Sequence, residues 1–102
     1  MAAESDRVVE RWPAFGRQLR AALAAQSEPD LTAQIGELRV HQLCPCDDAF
    51  CQSFYTQPPP EEGFGPGHRN VVLEPDWDGY LILDVVDGQI MYVEVLERSP
   101  LD

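Results

Sequence analysis

The sequence predicts an α+β fold, with an N-terminal helix or helix pair packed on an antiparallel sheet of about four strands that ends in a β-hairpin. Three observations carry this reading. Apolar residues recur at helical spacing in the first third of the chain. Further on, two β-branched apolar runs, residues 80–86 and 89–96, flank Asp87-Gly88, the strongest short-range hairpin signal. The length of 102 residues suits a single domain with one core, spanning 1–102.

The helical region covers residues 1–30. Ser5 is placed to cap a short turn carrying Val8 and Val9, and Trp12-Pro13 interrupts that turn because the residue before proline is pushed out of the α region. Pro13 suits the first turn of the next helix, and Phe15, Leu19, Ala22 and Leu23 then form one stripe at i, i+4, i+7 and i+8. One kinked helix and two consecutive helices both satisfy the pattern. Ser27 to Asp30 ends it, and residues 31–36 read as a helical turn or an extended entry.

Strands are expected at 38–43 and 49–56, the second rich in aromatic and β-forming residues after the turn material Pro45, Asp47 and Asp48. Residues 57–70 hold three consecutive prolines and three glycines, which predicts a long loop without a strand or helix of its own, followed by a short strand at 70–74. Strands at 79–86 and 89–96 close the sheet. A two-residue turn at Asp87-Gly88 would pair Asp84 with Met91, Ile82 with Val93 and Tyr80 with Val95, leaving both faces of the hairpin mainly apolar. Such a hairpin needs cover on both sides, from the proline-rich loop or from a second copy of the chain, and a homodimer is the favoured expectation.

Charge excludes whole classes of function. Seven arginines and no lysines stand against 18 acids, for a net charge of −11. Nucleic-acid and anionic-membrane surfaces are built from Lys and Arg, so neither partner is expected. The excess is localised: residues 1–40 carry five arginines and six acids, whereas residues 41–102 carry only Arg69 and Arg98 against twelve acids. The first ten residues lack the basic region and apolar core of a secretion signal, and a cytoplasmic location is expected.

Two groups of residues invite chemistry. His41, Cys44, Cys46 and Cys51 give H-x2-C-x-C-x4-C, a Cys3His set of the kind that tetrahedral zinc takes, although structural sites more often present C-x2-4-C knuckles. The alternatives are reduced thiols, with Cys51 as a small core hydrophobe, or a redox pair of Cys51 with Cys44 or Cys46. An enzyme is not expected: nothing in the sequence places His68, the only other histidine, beside a cysteine, and no other nucleophile–base pattern stands out. The second group, Phe64, His68 and Arg69, is expected to form an exposed recognition tip that binds a partner. Its glycines do not make a phosphate cradle, since no Lys and no helix start follow them. The acids Asp76, Asp78, Asp84 and Asp87 lack the frame of a calcium loop and read as turn and strand residues.

The string LILDVVDGQIMYVEVLERS, together with CPCDDAFCQSFYT and the G-P-G-H-R-N segment, resembles a small bacterial family of unknown function. The resemblance implies a bacterial origin and this fold class, and no activity. The functional expectation is a non-enzymatic protein-interaction or regulatory module, similar to an inhibitor or immunity protein, that offers an acidic surface to a basic protein partner and needs no cofactor. The alternative is a small zinc-binding domain using His41, Cys44, Cys46 and Cys51.

Overall fold

The computed structural model describes residues 6–45, 51–59, 61 and 63–102. Its helices are α1 (Val8–Arg11), α2 (Pro13–Ala25) and α3 (Pro29–Thr32), followed by a 3-10 turn at Ile35–Glu37. Its strands are β1 (Gln42–Leu43), β2 (Phe54–Tyr55), β3 (His68–Leu73), β4 (Tyr80–Val86) and β5 (Gln89–Leu96). They form one antiparallel sheet in the order β1-β2-β5-β4-β3, which confirms the α+β class and adds a full fifth strand.

Trp12 adopts φ −134° and ψ 77°, so the helical region is two helices, with Pro13 at the head of α2. Arg7 stands at the N-terminus of α1 without a side-chain cap, in place of the expected Ser5, which lies outside the described residues. Phe15, Leu19, Ala22 and Leu23 are all buried, as the stripe requires. With Leu31, Ile35 and Leu38 they meet Phe54, Val71, Leu73, Leu81, Leu83, Val85, Ile90, Val93 and Val95 in one core. Each of these large side chains removed from water contributes about 1.5–3 kcal/mol before ordering entropy is subtracted.

Three expectations about strands are corrected. The extended run 38–43 divides its backbone between two partners: Val8 N–H donates to the Leu38 carbonyl and Val40 N–H to the Asp6 carbonyl, so only Gln42 and Leu43 join the sheet. Residues 51–56 do run beside β5, with a bridge from Cys51 to Leu96, but regular pairing is confined to Phe54 and Tyr55. Ser53 is the interruption, because Val95 N–H donates to its hydroxyl at 2.9 Å where a backbone carbonyl would normally accept. Residues 49–50 lie outside the described residues. Finally, the loop ends at Gly67, and His68, Arg69 and Asn70 form the first half of β3 in continuous register with Val86, Val85 and Asp84.

The hairpin turn is as expected, with Asp87 at φ 49° and Gly88 at φ 84°, the left-handed pair that a tight antiparallel turn needs. Its register is not. Val85 pairs with Ile90, but Asp84 pairs with Tyr92, so Met91 is an extra residue in β5. Beyond this bulge every pairing shifts by one: Leu83 faces Val93, Ile82 faces Glu94 and Tyr80 faces Leu96. The shift gathers Leu81, Leu83, Val85, Ile90, Val93 and Val95 on one face, all buried. The second face is thus mixed rather than mainly apolar.

Candidate interaction surface

The helices cover one face of the sheet, and the register maps the other. Asn70, Asp84, Tyr92, Tyr55 and Gln42 lie side by side, one from each strand, in a polar row across all five strands. Next to it Val72, Ile82 and Glu94 form a second row, and Tyr80, Leu96 and Cys51 a third. Among the described residues no helix or strand packs on this face, and Val72 and Tyr80 are 64% and 54% exposed.

Several contacts order the surface. The Tyr55 and Tyr92 rings stack at 4.4 Å with a 40° tilt. Burial pushes the Tyr92 phenol above its ordinary range, with the nearby Ser53 hydroxyl lowering it and the Cys44 thiol raising it by smaller amounts. At the β3 end, His68 Nε2 lies 2.6 Å from Asp84 Oδ1, and the Phe64 ring sits 4.8 Å from the imidazole. Among the described residues the Pro/Gly-rich loop reaches the corner of this face through Phe64 on His68.

Both arginines of the C-terminal part are occupied elsewhere. Arg69 alternates to the helix side of β3 and forms a two-pronged pair with Glu28 at 3.1 and 3.2 Å. Each holds the other's charged form: the guanidinium keeps the Glu28 carboxyl below its usual range, and Arg69 is raised in turn. Arg98 is buried, donating to Gln18, Asp102 and the carbonyls of Ser99 and Pro100, with its guanidinium 5.0 Å from the Trp77 ring. Glu94 makes no ion pair among the described residues. The open face thus carries Asp84 and Glu94 with His68 as its one basic side chain among the described residues.

The residues singled out in the sequence are divided by the fold. Phe64 and His68 meet, whereas Arg69 points to the opposite side, so the three do not make one recognition tip. Cys44 and Cys51 line one small pocket of about 220 Å³ with Trp12, Leu43 and Leu101, and the Cys51 thiol donates to the Ser53 hydroxyl at 3.5 Å. His41 lies instead in a cleft of about 630 Å³ with Asp6, Gln34, Glu37 and Arg39, its backbone N–H donating to the Tyr55 carbonyl. Cys46 lies outside the described residues, and among the described residues no three His, Cys, Asp or Glu side chains stand close enough to hold a metal ion. No helix among them is long and apolar enough to cross a membrane.

The polar row across the open face was hidden from sequence reasoning by the Met91 bulge. A signal for it exists: without a bulge Asp84 and Glu94 fall on opposite faces, one of them inside the core, and one extra residue puts both on the face away from it. No family model, curated protein or solved structure matches the chain.

Proposed function

We propose that this chain is a non-enzymatic protein-interaction module of the inhibitor or immunity type, and that the open face of its sheet is the surface that meets a basic partner. The observation that carries the reading is the placement of charge. The C-terminal part holds twelve acids, its two arginines are engaged on the helix side, and the open face mixes exposed apolar side chains with carboxylates. An apolar surface with acidic groups suits a partner that supplies both contact area and positive charge. A second copy is a poorer occupant, because two such faces would set carboxylate against carboxylate in chains of net charge −11.

The test is capture of partners from the native lysate at low salt and at about 0.5 M salt, where screening is several-fold shorter in range. Wild type is compared with Val72→Lys, a change at an exposed position of the face. Basic proteins lost both in salt and in the variant support the reading; a neutral set, unchanged by either, contradicts it. A second reading, a small zinc-binding domain, draws support from Cys44 and Cys51 sharing one pocket. Elemental analysis of protein purified without a histidine tag decides it, with about one zinc per chain required.

A further inference from the structure

We infer that the partner's principal contact is an arginine, taken up over the Tyr55–Tyr92 ring pair between Asp84 and Glu94. The inference rests on the reading of the open face as the site for a basic partner and names the chemistry that face selects.

Tyr92 is directly opposite Asp84 on β4 and two residues from Glu94 on its own strand, so both carboxylates and both rings share one side of the sheet. Cross-strand neighbours stand about 5 Å apart at Cβ and same-face neighbours along a strand about 7 Å apart, within reach of a single guanidinium lying on the rings. The rings hold each other in place: Tyr55 is stacked on the part-buried Tyr92 at 4.4 Å. The two acids are not equivalent. Asp84 already accepts from His68 through Oδ1, whereas Glu94 has no cation partner among the described residues. Glu94 is therefore the carboxylate that recruits the incoming charge.

The choice of arginine over lysine follows from the rings. A guanidinium is planar and weakly hydrated, so it stacks on an aromatic face while its edge donates to a carboxylate; an ammonium is a compact, strongly hydrated charge that gains less from a ring. The same chain uses this solution internally, with Arg98 beside the Trp77 and Phe15 rings and Arg11 over Trp12.

The experiment uses the full chain and two fluorescent extended peptides of equal length and charge, one with arginine and one with lysine at alternate positions, read by anisotropy. Tyr55→Leu and Glu94→Gln remove one ring and one charge, and Glu28→Gln makes the same change of net charge on the helix side. Circular dichroism confirms that each variant is folded. The arginine peptide is expected to bind about two- to five-fold tighter than the lysine peptide. Tyr55→Leu should abolish that preference, Glu94→Gln should weaken both peptides, and Glu28→Gln should leave binding near wild type. Equal binding of the two peptides, still weakened by Glu94→Gln, overturns the arginine inference and leaves the basic-partner reading standing. Glu28→Gln weakening as much as Glu94→Gln shows attraction by total charge and overturns the site. Binding of neither peptide at low salt overturns both.

Discussion

The two faces of the sheet are built from the same five strands and solve opposite problems. On the helix side the hairpin residues are aliphatic and almost wholly buried, from Leu81 to Val95. On the other side the same strands alternate apolar and polar groups, and carboxylates sit where water can reach them. The inner face holds the domain together, and the outer face leaves Val72 and Tyr80 exposed. One extra residue, Met91, separates the two chemistries, because without it Asp84 and Glu94 could not both avoid the core.

The two faces should differ most under truncation of adjacent residues on β4. Leu83→Ala should lower unfolding free energy by about 2–5 kcal/mol, since the helices cannot collapse fully into the space, while half-buried Ile82→Ala should cost about 1 kcal/mol or less. Denaturant midpoints measure both; equal losses would mean that the outer face is covered as well as the inner. Next in size is Arg98→Met, which keeps the stem among the rings and removes the bonds to Gln18 and Asp102. A loss of about 1.5–3 kcal/mol is expected by the same measurement, as for other hydrogen bonds made by charged groups. A neutral result would mean that these bonds add nothing to stability beyond the cost of burying the guanidinium.

The smaller effects concern charge. The Glu28 carboxyl is held below its unfolded value by Arg69, so the pair adds stability above the unfolded carboxylate range and loses it as pH falls through the lowered folded value. Glu28→Gln should remove that part of the acid dependence, making the fall in denaturant midpoint between neutral and acid pH shallower than in wild type. The Tyr92 phenol runs the other way: its raised value keeps it neutral, so its contribution is present below the ordinary tyrosine range and lost only in stronger alkali. An ultraviolet titration should show one tyrosine ionising later than the rest, and Tyr92→Phe should abolish that late step. Glu94→Gln should change stability by no more than about 0.5 kcal/mol, as expected for a surface group without an ion pair.

Much of the inner face was legible in the sequence because it rests on periodicity and punctuation. Pro13, the Phe15–Leu23 stripe and Asp87-Gly88 each encode a local geometry that tertiary packing did not override. The outer face was not, for three local reasons. A bulge leaves no mark in composition, and Met91 looks like any other apolar strand residue. The polar start of β3, His68-Arg69-Asn70, reads as loop, yet an edge strand tolerates such residues. Ser53 replaces a backbone rung with its hydroxyl, which shortens β2 without any proline or glycine to announce it. The site residues followed suit: Phe64 and His68 came together because the loop packs back on β3, while Arg69, next in sequence, was turned away by strand alternation.

Mapping by amide NMR, with the arginine peptide as the probe, tests the central claim most directly. Shifts that cluster on Tyr55, Val72, Asp84, Tyr92 and Glu94 and spare α2 and the His41 cleft are the result expected of an open acidic face that recognises a basic partner. Shifts confined to the helix side or to the cleft around His41, or none at low salt, would contradict it.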